Sequence, residues 1–239
     1  MSSYLRRTTL ACNLYKGCTH GCKYCFAPAC MRTSSDVWHG RAMVRQNVIE
    51  SFEKDAAKIR KDNRRILFSF LSDPYQPLEK SERLTRQALT IAEKYKLKTQ
   101  ILTKGCGDLI QDDFELMKRS ESHLGITICF VNDAERKIWE PDAAPIQDRL
   151  KTLKSAHQEG IFTWVSLEPV IDPNQALNVI RVAHPYVKFW KIGKINHNKV
   201  VEKSVNWHVF YQNVTQLLNK LKANYYIKAD LQKYSVAPI

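Results

Sequence analysis

Three cysteines lie within eight residues in the stretch CTHGCKYC, at Cys18, Cys22 and Cys25. Thiolates this close together suit a soft metal, and the two candidates are zinc and an iron–sulfur cluster. Structural zinc takes four protein ligands, usually from two separate short motifs, whereas this chain has one compact motif. The nearby residues able to complete a zinc site are Cys12, His20 and Cys30. A cubane 4Fe–4S cluster bound by three cysteines would instead leave one iron open to a small molecule.

The cysteine count and the first residues bear on the cellular setting. Seven cysteines is an odd number, and the stretch SSYLRRTTL lacks the apolar run of an export signal. A disulfide framework is therefore not expected, and a metal or catalytic role for cysteines is favoured. Because no apolar run approaches the roughly 18 residues of a membrane span, we expect a cytoplasmic protein with no membrane partner.

The charge of the chain indicates a class of partner. The 239 residues include 37 Lys and Arg against 24 Asp and Glu, a formal net charge of +13. This excess favours polyanionic partners such as nucleic acid. Clusters such as KIRKDNRR and EKYKLK are also typical of solvated helix ends, so charge alone leaves the partner open.

Hydrophobic periodicity predicts helices that alternate with short buried strands. The predicted helices cover residues 43–62, a segment capped by Ser81, residues 112–120, a segment from Pro145 to a stop at Gly160, a segment around residues 176–180, and residues 210–221. The predicted strands cover residues 66–72, 99–103, 124–131, 162–171 and 187–195, with YYIKADL as a further strand. This βαβα order is typical of a parallel sheet with helices outside it.

The spacing of these elements predicts the fold class. The strands begin roughly 25 to 37 residues apart, the length of a βαβ unit. We predict an α/β protein with a single domain over residues 1–239, a partial (β/α)6-type TIM barrel with parallel strands and outer helices, in which residues 206–232 add a helix and an extra strand. Polar residues gather where strands end, in SDPY, TKG, EP and GKINH. That edge of a parallel sheet holds the active site in barrels.

The cysteine spacing carries a family resemblance. Cys18-x-x-x-Cys22-x-x-Cys25, with the aromatic Tyr24 before the last cysteine, resembles the signature of radical S-adenosylmethionine (radical SAM) enzymes. NLYKGCTHGCKYCFAP, SDPYQPLE, TKG, EPDAAPIQDRL and SLEPVI resemble the spore photoproduct lyase-like group of that superfamily, over about residues 12–172. In such enzymes the cysteine loop, here residues 18–25, follows the first strand of a partial barrel, and TTLACNLYKG (8–17) is placed to be that strand.

The resemblance implies two cofactors and a partner. The three cysteines would bind a 4Fe–4S cluster, and the open iron would bind S-adenosylmethionine (SAM). Reductive cleavage of SAM would then give a 5'-deoxyadenosyl radical that abstracts hydrogen from the substrate. A flavodoxin-like or ferredoxin-like electron donor is the implied partner.

The resemblance also implies roles for side chains near strand ends. Lys104 would hold the methionine carboxylate of SAM, and Ser72 and Asp73 its amino group; Asp73 could instead initiate a turn with Pro74. Tyr24, Thr127 and Glu168 are further candidates for contact with the cofactor. A packing role is open for Thr127 and a buried ion pair for Glu168. These candidates are expected near the cysteine loop. Within that loop His20 would shape the chain, whereas His39 and His197 would be ordinary loop residues elsewhere.

One departure from the group concerns hydrogen donation. Spore photoproduct lyase carries a hydrogen-donating cysteine near the end of its second strand, where this chain reads FSFLSDPY. Tyr75 and Cys129, and also Cys106, are the remaining candidates for a hydrogen or electron relay; each cysteine could equally be a small buried hydrophobe. The substrate is expected to be nucleic acid, in DNA repair or base modification. The alternatives are a peptide or small metabolite, or a zinc-stabilised nucleic-acid-binding protein without catalysis.

Overall fold

A computed structural model describes residues 10–236, and its main sheet has seven strands, all paired in parallel. The sheet order is β1-β4-β5-β6-β7-β8-β9, and a separate antiparallel pair joins β2 to β3. The strands are β1 Leu10–Cys12, β2 Tyr15–Lys16, β3 Met43–Val44, β4 Ile66–Phe68, β5 Thr99–Thr103, β6 His123–Thr127, β7 Phe162–Val170, β8 Phe189–Lys194 and β9 Tyr225–Ile227. The predicted partial α/β barrel is confirmed: among the described residues β1 and β9 do not pair, so the sheet stays open.

Helices fill the connections between successive strands of the sheet. The α-helices are α1 Ala27–Cys30, α2 Ser35–Gly40, α3 Val48–Ile59, α4 Glu79–Glu82, α5 Leu84–Lys94, α6 Asp108–Gln111, α7 Phe114–Arg119, α8 Asp133–Trp139, α9 Ile146–Gln158, α10 Pro173–Ala183, α11 Lys199–Ser204, α12 Trp207–Lys220 and α13 Ala229–Gln232. Short 3-10 helices follow at His184–Tyr186 and Lys233–Ser235. Strand, helix and parallel strand repeat, which is the crossover geometry that the sequence periodicity predicts. No helix in the described part of the chain is long and apolar enough to cross a membrane.

Local signals in the sequence explain the best-predicted helix. Helix α9 begins after Pro145, which has an extended backbone, and Gly160 follows its end with φ of +80°. Glycine adopts that left-handed conformation without a steric penalty, so it ends the helix cleanly. Both boundaries agree with the prediction. The buried face of α9 includes Ile146 and Leu153, which pack in the main core.

The predicted helix over residues 43–62 begins too early. Met43 and Val44 instead form β3, which pairs with β2, and the Arg45 N–H donates to the Leu14 carbonyl. Asn47 then adopts a left-handed conformation, and α3 starts at Val48. The pairing with Tyr15 and Lys16, earlier in the chain, overrides the helical periodicity, and Val44 is left exposed.

The predicted cap at Ser81 is also wrong. Ser81 lies inside the short helix α4, and α5 starts after Arg83 with no side-chain cap from its own N-cap residue. The buried carboxylate of Glu79 accepts hydrogen bonds from the N–H groups of Thr85 and Arg86 instead. Glu79 therefore satisfies the free donors at the start of α5 from outside the helix.

Several predicted elements are shorter than expected. The strand predicted over residues 66–72 ends at Phe68, because the Asn13 side chain takes the N–H groups of Phe70 and Leu71. The strand predicted over 124–131 ends at Thr127, the helix predicted over 112–120 starts at Phe114, and YYIKADL divides into β9 and α13. Residues 8 and 9 of the predicted first strand lie outside the described residues.

Candidate metal and cofactor site

The cysteine loop, residues 18–25, is held at both ends by backbone hydrogen bonds. The Cys18 N–H donates to the Trp38 carbonyl at 3.1 Å, and the Lys23 N–H donates to the Trp139 carbonyl at 2.9 Å. His39 Nδ1 donates to the Cys18 carbonyl at 2.7 Å. The loop is thus attached to α2 and α8, which are distant in sequence, and His39 has a supporting contact that the sequence did not predict.

Glycine is required immediately before the loop. Gly17 has φ of +83°, and a Cβ atom there would lie 2.2 Å from the Arg41 carbonyl oxygen. The buried Gln76 side chain binds the chain on both sides of Cys18: its amide donates to the Gly17 carbonyl and its oxygen accepts from the Thr19 N–H. The SDPYQPLE segment therefore supports the cysteine loop directly.

The donor set of this loop fits an iron–sulfur cluster. Cys18 and Cys22 are buried and Cys25 is half-buried. Burial raises the pKa of the Cys18 and Cys22 thiols to about 12, a penalty that bonding of the thiolates to iron would offset. In the described range, no three His, Cys, Asp or Glu side chains converge as ligands of one metal ion. A cubane does not require such convergence, because each cysteine binds a different iron.

A buried network connects the signature aromatic to two residues of the EPDAAPIQDRL stretch. The Tyr24 hydroxyl donates to Glu140 Oε1, and Glu140 Oε2 lies 2.6 Å from Arg149 Nη2, with both of these charged side chains fully buried. Arg149 also donates to the carbonyls of Ala144 and Thr127, at 2.8 and 3.0 Å. Burial and the adjacent Glu140 raise the pKa of Tyr24 well above its usual value.

Lys104 places a half-buried cation beside the same network. Its ammonium nitrogen lies 5.4 Å from the centroid of the Tyr24 ring. Burial alone would lower the pKa of Lys104, but negative charge at Cys22 and Glu140 outweighs it and raises the pKa. Asp73 fixes the backbone here, since its carboxylate accepts hydrogen bonds from the Lys104 N–H at 2.7 Å and from Thr103 Oγ1 at 2.6 Å.

Two rows of polar residues continue from this point across the sheet. The strand register pairs Thr127 with Ser166, Ser166 with Lys191, and Lys191 with Tyr226, so these side chains share one face, here called the site face. In the second row, Lys228 of the chain after β9 forms an ion pair with Glu168 of β7. Gly193 lies between them and is also on the site face.

The structure brings together some of the predicted residues and separates others. Asp73 and Lys104 lie beside the cysteine loop, which contains Tyr24, and the imidazole of His20 in that loop is 3.5 Å from Asp73. Cys129, which is buried, follows Thr127 and lies within electrostatic range of Lys104 and Glu168. The Tyr75 N–H donates to Asp73 Oδ1 at 2.9 Å, which is the turn that the sequence offered as one alternative.

The remaining candidates face away from this group or lie at its margin. The buried Tyr75 hydroxyl donates to Asp113 at 2.9 Å, and the Ser72 hydroxyl donates to the Tyr15 carbonyl at 3.3 Å. Cys106 is half-buried in the loop after β5, beside Asp148 and Arg149. Of the alternative zinc ligands, Cys30 is exposed in α1.

Sequence reasoning missed Glu140, Arg149, Lys191 and Lys228 as members of the site. Glu140 and Arg149 belong to the EPDAAPIQDRL stretch, which resembles the spore photoproduct lyase-like group. The two charged residues within that stretch were the available signal. Lys191 and Lys228 had a weaker signal, since they are lysines inside apolar strand patterns, FWKIGK and YYIK. A lysine in a strand interior indicates either an edge position or a polar face.

Comparison with known proteins assigns the chain to a superfamily. The family description "Radical SAM superfamily" matches residues 12–181. The chain belongs to the radical SAM superfamily, whose members use a 4Fe–4S cluster together with SAM. These are accordingly its cofactors.

Two uncharacterized proteins are similar to this chain in sequence. An uncharacterized protein of Methanocaldococcus jannaschii is 30% identical over 187 residues, which cover 77% of this chain and 69% of the relative. An uncharacterized protein of Acidianus two-tailed virus is 24% identical over 178 residues, covering 69% of this chain and 57% of the relative. Neither name states an activity.

Two kinds of solved structure share the fold. Streptococcus suis SuiB bound to its precursor peptide SuiA has a TM-score of 0.68 at 12% identity, covering 95% of this chain and 51% of SuiB. Spore photoproduct lyase complexed with dinucleoside spore photoproduct has a TM-score of 0.66 at 10% identity, covering 91% of this chain and 75% of the lyase. The chain thus spans about half the length of the SuiB chain that it resembles.

Proposed function

We propose that this protein is a radical SAM enzyme in which Cys18, Cys22 and Cys25 hold the 4Fe–4S cluster. The observation that carries the proposal is the cysteine loop, fixed at the carboxyl edge of the sheet beside a half-buried cation, Lys104. When bound, the cluster and SAM supply a 5'-deoxyadenosyl radical that abstracts hydrogen from the substrate. Residues 1–239 would act as a single domain, and a flavodoxin-like or ferredoxin-like protein would donate the electron.

The residues around the loop have separate roles in this proposal. Lys104 binds the carboxylate of SAM, since its ammonium lies over the ring of Tyr24 in the cysteine loop, 5.4 Å from the ring centroid. Tyr24, held by Glu140, forms one wall of the cofactor site, and Thr127 and Glu168 face the substrate from the neighbouring strands. Asp73 positions the Lys104 backbone. Its carboxylate already accepts hydrogen bonds from Tyr75, Thr103 and Lys104, which favours positioning over direct contact with the SAM amino group.

The proposed substrate is nucleic acid with a damaged or modified base. The net charge of +13 and the resemblance of several motifs to the spore photoproduct lyase-like group support it. Structural likeness to a lyase complexed with a dinucleoside lesion is consistent with this class. The second candidate is a peptide, because SuiB bound to a precursor peptide has a similar fold over 95% of this chain.

Anaerobic cofactor analysis tests the enzymatic part of the proposal. The protein, reconstituted with iron and sulfide, is expected to hold about four irons per chain and to release 5'-deoxyadenosine from SAM after dithionite reduction. Cys18→Ala, Cys22→Ala and Cys25→Ala should each abolish that release, whereas Cys30→Ala, in the exposed position of α1, should retain it. Stoichiometric zinc without cluster assembly would refute the proposal and favour a structural zinc site.

Binding measurements separate the substrate classes. A fluorescent single-stranded oligonucleotide should bind with an affinity that falls as salt rises, because each neutralised phosphate releases counterions. A zwitterionic peptide of the same length provides the comparison. Peptide binding without oligonucleotide binding at low salt would assign the second candidate.

A further inference from the structure

Lys191 is a half-buried cation on the site face without a direct counter-charge. It lies in the middle of β8, and within the described residues its ammonium makes no hydrogen bond and has no carboxylate at ion-pair distance. Burial lowers the pKa of Lys191; Glu168 opposes the shift, and Lys228 adds to it. A cation partly withdrawn from water in this way costs free energy unless an anion meets it. Its position therefore indicates an anionic ligand.

Lys228 brings a second cation to the same place through a gap left by Gly193. The Lys228 N–H donates to the Ile192 carbonyl, which fixes Lys228 beside β8. A Cβ atom on Gly193 would lie 2.8 Å from Lys228 Cδ and 3.0 Å from Glu168 Cδ. Glycine at this position thus leaves the space in which the Lys228 and Glu168 side chains meet.

Together the three charged side chains have a net charge of +1, from two lysines and one glutamate. The Lys228 ammonium has three donors, and its pair with Glu168 leaves others for a ligand. Lys191 and Gly193 are two residues apart in β8 and so lie on the same face of the sheet. The Lys228 side chain passes over Gly193, so the ammonium groups of Lys191 and Lys228 are on that face as well. One singly charged oxyanion would complete the charge balance of this group.

We propose that Lys191 and Lys228 bind a phosphodiester group of the nucleic-acid substrate, with Glu168 and Gly193 as positioning residues. This inference rests on the nucleic-acid substrate of the proposed function and names the site that holds it. Strands β8 and β5 are three positions apart, about 14 Å at the usual strand spacing. A phosphate at Lys191 therefore lets the attached nucleoside extend over Ser166 and Thr127 toward the cysteine loop.

The test compares Lys191→Met with Lys188→Met in the anaerobically reconstituted holoenzyme. Lys188 is exposed just before β8, so its substitution removes the same charge away from the site face. The probe is a fluorescein-labelled single-stranded DNA 12-mer, titrated at several salt concentrations. Lys191→Met is expected to weaken binding about tenfold and to reduce the slope of log K against log salt by about 0.7, the value for one phosphate on a single strand. Lys188→Met should leave both unchanged.

Thermal unfolding distinguishes a binding role from a structural one. Because Lys191 has no direct partner, Lys191→Met should relieve the cost of its partial burial and raise Tm by about 2–4 °C. A lysine that only supported the fold would give a lower Tm instead. Gly193→Ala retains every charge but fills the gap, and it is expected to weaken binding of the 12-mer as well.

The outcomes for the proposed function and for this inference are separable. If the wild-type protein does not bind the 12-mer even at low salt, the nucleic-acid substrate is refuted, and this site with it. If the wild type binds and Lys191→Met binds with the same affinity and slope, only the phosphate site is refuted. A Lys191→Met protein with lower Tm and unchanged binding would assign Lys191 a structural role.

Discussion

Glu140 connects the cysteine loop to the end of strand β6 in the candidate site. One of its oxygens accepts from Tyr24 in the cysteine loop, and the other faces Arg149, which is anchored to the end of β6 through the Thr127 carbonyl. A fully buried ion pair is tolerated when further hydrogen bonds satisfy both partners. Here those hydrogen bonds run to the loop on one side and to the sheet on the other, so the pair fixes the loop relative to the strands.

Removing one member of this pair should be strongly destabilising. Glu140→Ala leaves the Arg149 guanidinium buried without its counter-charge, and the expected loss in the free energy of unfolding is about 3–5 kcal/mol. Anaerobic urea denaturation measures it. Glu50→Ala, on the exposed first turn of α3, is the control and should change stability by less than about 0.5 kcal/mol. A loss at Glu140 as small as that of the control would contradict the role of the pair.

The double variant Glu140→Leu/Arg149→Met provides a sharper test. It removes both charges and keeps apolar volume, so it should be more stable than either single variant. Losses that simply add would mean that the two side chains act independently. The same urea measurement decides between these results.

At the scale of elements, the cysteine loop depends on segments that come later in the chain. Its backbone is bonded to the ends of α2 and α8, and Gln76 reaches it from the segment after β4. Residues 18–25 contain little regular structure of their own, so these contacts set the positions of the three thiols. The glycine before the loop is the point with least room for change.

Gly17→Ala should therefore prevent cluster assembly. A Cβ atom would meet the Arg41 carbonyl oxygen at 2.2 Å, and the positive φ of this residue adds strain. We expect iron after anaerobic reconstitution to fall well below the wild-type value. Gly40→Ala is the matched control, because Gly40 ends α2 with nothing within 4 Å of the added methyl group. Equal iron contents in the two variants would show that the loop adapts to the side chain.

Across the whole molecule, the sequence predicted order and class better than boundaries. Periodicity and strand spacing determine the βαβ order, and the open parallel sheet follows from it. The starts of α3 and α5 depend instead on contacts that periodicity does not contain. The N–H of Arg45 bonds to Leu14, and Glu79 supplies the cap for α5.

The candidate site shows the same division. The cysteine spacing and the polar strand ends could be read locally, and they indicated the loop and the carboxyl edge of the sheet. The pairing of Tyr24 with Glu140 joins residues 116 positions apart, and that of Glu168 with Lys228 joins residues 60 positions apart. Such pairs are determined by sheet order and register, so they emerge only once the strands are assembled.

The acid sensitivity of the whole fold should depend on His123 at the start of β6. Its ring stacks on Phe162 with the ring centroids 4.0 Å apart, and burial lowers its pKa to about 3, with Arg65 and Lys98 adding to the shift. The unfolded chain binds this proton near pH 6.5, so the folded state loses stability as pH falls below that value. Between pH 7 and 5 the loss attributable to His123 is about 2 kcal/mol.

His123→Phe retains an aromatic ring and should remove this part of the pH dependence, whereas His197→Asn, at an exposed position, should not. Urea denaturation at pH 5 and pH 7 measures the difference, and parallel pH profiles for wild type and His123→Phe would show that His123 is not the group responsible.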